Sequence, residues 1–454
     1  MSERRLLPEG PLWKTFLIFL GPMMLSNVLQ ALSGTVNNIY LGQMIGVNAL
    51  AAVSAFFPIL FLFISFIIGL GAGASVLIGQ AYGAKEYDSV KAVAGTTLTV
   101  AILFGILVAI FGGFFTTPLL AAVGTPPDIL PDSTAYARIM LIAMPGLFVF
   151  LLTTAMMRGV GDTVTPLYAL ALSTAIGLVV TPALIEGWFG LPRLGIVSGA
   201  CASVLSFTLA MIWLAWYLRR RGHPLAPDAT LIRALRVDRK ILGSVLRIGL
   251  PTGVQLILVS LAEVAVLSLV NGFGSEATAA YGTVNQVVSY VQFPAISIAI
   301  TASIFGAQAI GAGRADRLGA ITRTGIVLTL IITGALIALV YLFSRVIIGF
   351  FLTSPPVLEL AQSLLHITLW SYVLFGLASV ISGVMRASGT VLVPMLISIF
   401  AIIGVEVPVA YVLSRAIGID GVWIAYPVAF AAMLIMQGGY YWFFWRKKTI
   451  TRLI

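Results

Sequence analysis

Two glutamates lie inside long apolar stretches of the chain, where ionisable side chains are rare. Of the 16 acidic residues, only Glu263 and Glu406 have this placement, and the others fall in polar connections, in the tails or at the ends of apolar stretches. A carboxylate inside a membrane-spanning helix costs several kcal/mol, so such a residue by default marks an ion or proton site. The sequence therefore points to cation or proton binding at these two positions.

The two glutamates are predicted to lie at similar depth. Glu263 precedes Asn271 by eight residues, and Glu406 precedes Arg415 by nine. At ~1.5 Å of rise per residue, these separations are roughly 12 Å and 13 Å. If both side chains face the interior, they share a site that titrates as a coupled pair or that holds a sodium ion between its oxygens. The sequence leaves open the alternative that each glutamate only caps a helix break or pairs with a hydroxyl group.

The composition identifies the kind of protein that must position these residues. Hydrophobic residues make up 60% of the 454 residues and charged residues only 9%, with a mean hydropathy of +1.07. Soluble domains carry about 25% charged residues. A soluble enzyme, a nucleic-acid-binding domain and a disordered chain are therefore excluded. Cys201 is the only cysteine, so we expect neither an intrachain disulfide nor a thiolate metal site, and no cofactor is indicated.

Apolar runs long enough to cross a bilayer recur along the whole chain. A helical span needs ~20 apolar residues, and continuous runs favour helices over barrel strands. We predict an all-α polytopic membrane protein with twelve transmembrane helices, placed near 15–40, 49–79, 92–119, 134–157, 164–186, 195–218, 243–271, 276–309, 319–347, 357–385, 391–414 and 419–445.

The two halves of the chain resemble each other at an offset near 228 residues. Residues 79–84 (GQAYGA) recur as 307–312 (AQAIGA), and residues 157–162 (MRGVGD) recur as 385–390 (MRASGT). Each half has six spans, so both enter the membrane with the same orientation. This pattern is typical of a parallel repeat about an axis along the membrane normal.

The repeat predicts the domain organisation. We expect two six-helix bundles related by a pseudo-two-fold axis along the membrane normal, namely a lobe over 1–218 and a lobe over 243–454, joined by a cytoplasmic linker over 219–242. Pro22 in span 1 has a counterpart in Pro251 of span 7. Because proline removes a helix hydrogen bond, these two positions are predicted hinges.

Basic residues predict the orientation in the membrane. The N-terminal stretch, the connections that follow even-numbered spans together with their flanking helix ends, and the C-terminal tail hold 22 of the 26 lysines and arginines. Positive charge favours the cytoplasmic side, so both termini are expected there, with the first span retained rather than cleaved as a signal peptide. We interpret the basic connections as signals that set the membrane topology. Binding of anionic lipid headgroups is the alternative interpretation.

Polar side chains within the spans are candidates for a substrate cavity. Amides and aromatic rings with few fixed charges suit broad recognition of amphipathic small molecules, although such residues also form ordinary hydrogen bonds between helices. The candidates are Gln30, Asn37, Thr181, Gln255, Tyr281, Asn285 and Tyr290. We expect small-molecule substrates, no nucleic acid, no metal site and a monomeric protein.

Several motifs together resemble the multidrug and toxic compound extrusion (MATE) transporters of prokaryotes. The resemblance covers essentially the whole chain, and it rests on 21–24 (GPMM), 50–58 (LAAVSAFFP), 71–74 (GAGA), 80–84 (QAYGA) and 157–162 (MRGVGD). It implies a secondary antiporter of the plasma (inner) membrane, not an enzyme, that exports amphipathic and often cationic compounds in exchange for H⁺ or Na⁺. The alternative is a flippase of a lipid or lipid-linked saccharide from the wider superfamily, which the lack of basic residues at mid-membrane disfavours.

The chain departs from this family at its expected coupling site. Prokaryotic members that match most closely carry an aspartate in span 1 and another in span 5, where this chain has Asn37 and Thr181. Through the repeat, these positions map to Val266 and Val407, and the latter is adjacent to Glu406. The resemblance and the repeat together predict that ion or proton coupling uses Glu263 and Glu406 in the C-terminal lobe instead.

Overall fold

The structure, a computed structural model, describes residues 11–454 and contains only helices over that range. Eleven helices and one bent helix pair are long and apolar enough to cross a membrane. The predicted all-α fold with twelve spans is therefore confirmed. Spans 1 to 12 are Leu12–Ile45, Val47–Gly83, Tyr87–Phe114, the pair Leu130–Ile142 and Met144–Gly159, Val164–Glu186, Gly195–Arg221, Arg239–Asn271, Ser275–Gly311, Ala315–Leu342, Pro355–Ala387, Leu392–Ile417 and Ile419–Lys447. The prediction for the N-terminal tail falls on residues 1–10, outside the described residues.

Span 4 is bent rather than straight. Its two helices meet at 56°, and Pro145 lies in the first turn of the second helix. Proline fits a first turn because its missing N–H would have no partner there. Span 3 packs closely at the bend, since a Cβ added to Gly105 would lie 2.6 Å from the Cα of Pro145. The apolar run near 134–157 predicts one continuous helix, and the proline is the reason that the helix is broken.

Short helices and wide turns interrupt the regular spans. The short helices are Thr116–Ala122, Ala229–Arg233 and Ser344–Gly349. Three stretches have π-helical geometry, with one extra residue per turn: Leu41–Ile45 in span 1, Thr329–Thr333 in span 9 and Phe400–Glu406 in span 11. Such stretches often occur at functional sites.

The chain divides into two compact units. The N-terminal unit consists mainly of Gly21–Tyr82 and Glu86–Gly249. The C-terminal unit consists of the described residues 11–20, the short piece Gly83–Lys85 and Leu250–Leu453. The division crosses span 1 just before Pro22 and span 7 just before Pro251. Each of these two continuous helices therefore contributes residues to both units.

The first part of span 1, up to Leu20, packs tightly in the C-terminal unit, and the first part of span 7, up to Gly249, packs tightly in the N-terminal unit. In the C-terminal unit, Phe16 and Phe19 of span 1 are buried, and their rings contact the edge of Phe305 at centroid distances of 5.0 and 5.2 Å. In the N-terminal unit, a Cβ added to Gly249 of span 7 would lie 2.6 Å from the carbonyl oxygen of Gly69 in span 2. Aromatic packing holds the first end, and close backbone approach holds the second.

The connection between spans 4 and 5 is stabilised by Asp162. Its carboxylate accepts hydrogen bonds from the backbone N–H groups of Val164 and Thr165, at the start of span 5, and from the Thr165 hydroxyl. His223 accepts the Leu225 N–H through Nδ1, so its Nε2 carries the proton and faces Asp162 at 3.4 Å. Burial acts to raise the pKa of Asp162, but the hydrogen bonds from His223 and Thr165 outweigh it and hold the pKa below its usual value.

We expect Asp162→Asn to lower the melting temperature at neutral pH, because a neutral amide accepts the hydrogen bonds of Thr165 and His223 less strongly than a charged carboxylate, a difference of about 1 kcal/mol. A carboxyl group whose pKa is lowered on folding stabilises the protein above the unfolded pKa of about 3.9, and this contribution is lost as the pH falls through the folded value. Thermal unfolding of the purified variant should therefore approach that of the wild type only in acid. Asp128→Asn, at an exposed position, is the control and should change little at any pH. A pH-independent difference for Asp162→Asn would contradict the expectation.

Candidate functional site

Glu406 lies at the end of the π-helical stretch Phe400–Glu406 in span 11 and is buried, with 3% of its surface exposed. Pro408 comes two residues later and has no N–H for the carbonyl of Gly404, four residues before it, which favours a wider turn at this point. The ring of Phe400 covers Gly404, where an added Cβ would lie 2.9 Å from the ring. The local sequence therefore sets the direction in which the Glu406 side chain points.

Glu263 lies on span 7 and is exposed. It interacts electrostatically with Glu406. Its neighbour Ala262 is buried against Ala378, Ala401 and Met433, which anchors span 7 to spans 10, 11 and 12. The two glutamates that the sequence singles out are thus brought within interaction distance, one buried and one accessible.

Three tyrosines complete the site. The hydroxyl groups of Tyr281 in span 8 and Tyr426 in span 12 lie 2.8 Å apart, within hydrogen-bonding distance. Tyr372 of span 10 is buried and interacts electrostatically with both glutamates, as does Tyr281. We call Glu263, Glu406, Tyr281, Tyr372 and Tyr426 the carboxylate–tyrosine cluster. All five residues belong to the C-terminal unit.

Aromatic packing fixes the tyrosines of the cluster. Trp423 is fully buried and stacks on Tyr281 with ring centroids 5.9 Å apart. Phe430 contacts the edge of Tyr372 at 5.0 Å. Such contacts hold rings in preferred geometries. The hydroxyl groups are therefore presented by rigid side chains on three different spans.

The cluster has oxygen atoms available to bind a cation. Among residues 11–454, neither Glu263 nor Glu406 has a hydrogen-bond or ion-pair partner. The described residues contain no group of three His, Cys, Asp or Glu side chains that would suit a transition metal. Carboxylate and hydroxyl oxygens suit a proton or a hard cation such as Na⁺. The chemistry available is thus reversible binding of a small cation.

The predicted polar residues Gln255, Asn285 and Tyr290 lie on spans 7 and 8, the spans that carry Glu263 and Tyr281. Asn285 is exposed, lies one turn beyond Tyr281 and interacts with its hydroxyl. Tyr290 is exposed further along span 8, and its ring contacts Phe293 at 5.6 Å. Gln255 is half-buried in span 7. Of these residues, Asn285 is the one that interacts with a member of the cluster.

The corresponding positions in the N-terminal unit differ in chemistry. Asn37 is half-buried near Gly199, and Thr181 is buried with 3% exposure, while Gln30 is exposed. Spans 1 and 5 are linked where the Tyr40 hydroxyl donates to the carbonyl of Leu178 at 3.2 Å. The predicted hinges, Pro22 and Pro251, lie inside continuous helices beside the division between the units.

Sequence reasoning misses two residues of the cluster and one residue that packs against it. It does not single out Tyr372 and Tyr426, nor Trp423 behind Tyr281. The sequence does contain a signal for the two tyrosines. They lie in otherwise apolar spans, and a buried tyrosine hydroxyl needs a polar partner. Trp423 and Tyr426 are also three residues apart, which places both on one helix face.

Comparison with known proteins agrees with this architecture. The MatE family model matches residues 22–183 and again residues 251–412, which confirms the internal repeat. The chain is 52% identical over 444 residues to the probable multidrug resistance protein YoeA of Bacillus subtilis (strain 168), covering 97% of this chain and 96% of the relative. It is 25% identical over 405 residues to the probable multidrug resistance protein NorM of Thermotoga maritima, covering 89% and 86%.

Solved structures show the same fold. An outward-facing multidrug resistance MATE family transporter of the MOP superfamily superposes with a TM-score of 0.89 at 22% identity, covering 97% of each chain. A MOP superfamily transporter from Pyrococcus furiosus gives 0.87 at the same identity and coverage. From the repeated family match, the close relative and the twelve-span fold, we conclude that the chain belongs to the MatE family of multidrug efflux transporters.

Proposed function

We propose that the protein is a secondary active antiporter that exports amphipathic, cationic compounds in exchange for protons or sodium ions bound at the carboxylate–tyrosine cluster. The observation that carries the proposal is that buried Glu406 interacts electrostatically with exposed Glu263, while neither has a hydrogen-bond or ion-pair partner among the described residues. A buried charge without a partner is strongly unfavourable, so binding a proton or cation there releases a large free energy. A coupling site must convert this binding free energy into transport of the substrate.

The difference between the two glutamates suits cation entry and release. Glu263 is exposed and offers a first contact for an arriving ion. Glu406 is buried and interacts electrostatically with the buried Tyr372. An ion or proton shared between them neutralises one negative charge within the C-terminal unit. This lowers the free energy needed to remove the glutamates from solvent when the transporter changes conformation.

The residues near the cluster suit an amphipathic cationic substrate. Asn285 and Gln255 offer amide groups, and Tyr290 and Phe293 offer aromatic faces, which attract organic cations. A substrate cation and a coupling cation would compete for the same negative region, which is the basis of exchange. The names of the relatives, probable multidrug resistance proteins, support this substrate class.

The proposal is tested with purified full-length protein in liposomes loaded with ethidium. A pH gradient and a sodium gradient are imposed separately, and dye movement is followed by fluorescence. We expect one of the two gradients to drive transport against the ethidium gradient, and its identity names the coupling ion. Absence of transport under both gradients, with folded and correctly inserted protein, would overturn the antiporter assignment.

The N-terminal unit gives a second expected result. Neither Asn37 nor Thr181 titrates, so Asn37→Ala and Thr181→Ala should leave the coupling of transport to the ion gradient intact. As candidate substrate-cavity residues they can change the affinity for ethidium by about fivefold, since a single lost polar contact is worth roughly 1 kcal/mol or less. The same liposome assay measures this. If Asn37→Ala abolishes coupling while substrate still binds, coupling depends on the N-terminal unit, and the assignment to the carboxylate–tyrosine cluster fails.

A further inference from the structure

An open cavity of about 740 Å³ lies at the end of span 6, in the N-terminal unit. The C-terminal end of span 6 and the short helix Ala229–Arg233 form its walls. Its lining residues are Ala215, Trp216, Arg219, Arg220, Pro227 and Ile232. All of them belong to the N-terminal unit, on the side to which the basic residues assign the cytoplasm. The cavity thus lies at the level where a membrane helix leaves the bilayer.

The positive charge of this cavity is not compensated. Arg219 and Arg220 are exposed, and among residues 11–454 neither pairs with a carboxylate. The nearest acidic residue in sequence, Asp228, is already bound to Lys91 and caps the short helix through the N–H of Leu231. Hydrogen bonds from Lys91 and Leu231 hold the pKa of Asp228 below its usual value, so it stays ionised and committed to these partners. Two guanidinium groups therefore remain free to bind an anion.

Apolar surface adjoins the two arginines. The guanidinium of Arg220 lies 5.3 Å from the ring centroid of Trp216, which is 53% exposed. Ile232 is 60% exposed on the opposite wall. A free phosphate ion would use only the guanidinium groups, whereas a phospholipid offers a phosphate for the arginines together with glycerol and acyl carbons for the apolar walls. Aromatic and basic residues are also the usual anchors at the membrane interface.

We propose that this cavity binds the headgroup of an anionic phospholipid, with Arg219 and Arg220 holding the phosphate and Trp216 and Ile232 contacting the glycerol and the first acyl carbons. Arginine is suited to this role because its planar fork donates two hydrogen bonds to a phosphate at once.

The repeat supplies an internal control. Trp213 and Tyr217 stack with centroids 5.0 Å apart in span 6, and Tyr441 and Trp445, each 228 residues later, stack at 5.1 Å in span 12. The positions of Arg219 and Arg220 correspond to Lys447 and Lys448, which do not line the cavity. Lys448 instead donates a hydrogen bond to the Tyr440 hydroxyl at 3.0 Å. The equivalent end of the C-terminal unit thus carries two positive charges as well, but its lysines do not line this cavity.

The test is native mass spectrometry of the full-length protein titrated with phosphatidylglycerol or phosphatidylcholine. We expect one phosphatidylglycerol to bind preferentially. At about 1 kcal/mol per basic residue, the double variant Arg219→Gln with Arg220→Gln should bind it on the order of 30-fold more weakly. The charge-matched control, Lys447→Gln with Lys448→Gln, should change binding of this lipid by less than about threefold by the same scale, because these lysines do not contact the site.

Three results would overturn the proposal. Unchanged phosphatidylglycerol binding in the arginine variant would exclude the cavity. Equal weakening in both double variants would indicate general surface attraction rather than a site. Displacement of the lipid by millimolar inorganic phosphate would assign the cavity to a free anion. All four side chains are exposed or lie at helix ends, and melting curves of both variants establish that they are folded.

Discussion

Glu406→Gln is expected to abolish gradient-driven efflux while the protein still inserts, folds and binds substrate. Glutamine keeps the shape of the side chain, and the buried Glu406 has no partner among residues 11–454 whose hydrogen bond would be lost. The amide cannot take up or release a proton, and it carries no charge to balance a sodium ion. Ethidium efflux per folded molecule should therefore fall to the passive leak under either gradient.

Companion variants separate coupling from stability. Glu263→Gln should remove driven transport as well, and because both residues serve one site, the double variant should lose little more than either single variant. Glu359→Gln is the control, since Glu359 is an exposed carboxylate in span 10 of the same unit and should transport normally. Near-wild-type driven efflux in both single variants would eliminate the coupling role. Poor folding with normal efflux per molecule would mean that the glutamates only hold helices together.

Gly249→Leu is expected to prevent correct folding. Even a Cβ at this position would lie 2.6 Å from the carbonyl oxygen of Gly69 and 3.1 Å from the Cα of Leu70, both backbone atoms that cannot move aside alone. Spans 2 and 7 would have to separate, and overpacking of this kind typically costs 1–3 kcal/mol or more, so ~3 kcal/mol is a reasonable minimum for leucine. Size-exclusion chromatography of the solubilised variant should show little monodisperse protein.

A second glycine of the same helix provides the matched control. Gly243 is exposed in span 7, and nothing lies within 4 Å of an added Cβ. Replacement of a helical glycine by alanine gains up to about 1 kcal/mol in the absence of a clash. Gly243→Ala should therefore melt at the same temperature as the wild type or higher, and Gly249→Ala should melt lower. If Gly249→Ala is as stable as Gly243→Ala, the close approach of spans 2 and 7 does not limit stability.

Much of this fold is determined by features that a single sequence displays. Hydropathy alone predicts all twelve spans, because lipid requires every backbone polar group to be satisfied within a helix. Glu263 and Glu406 stand out for the same reason, since charge is rare inside such runs. The bend in span 4 is also visible as Pro145 within an apolar run, but a run of hydropathy does not distinguish a bent helix from a straight one.

The surroundings of the glutamates are harder to predict. Tyr372 and Tyr426 lie on different spans from either glutamate, and only tertiary packing brings them together. The π-helical stretch before Glu406 adds one residue to a turn, which rotates the remainder of span 11 by about 100° relative to a regular helix. Helical periodicity alone therefore does not predict the direction of this side chain. Thr181, a predicted cavity residue, is buried against its neighbours.

The sharing of spans 1 and 7 between the two units resembles a domain-swapped dimer joined into one chain. In such dimers each copy donates an equivalent segment to the other. Here the donated segments are the first turns of span 1, with Phe16 and Phe19, and the first turns of span 7, with Gly249. Neither unit can be obtained as a contiguous fragment. A chain cut between spans 6 and 7 would yield two halves that must fold together, because each half holds a helix end that completes the core of the other.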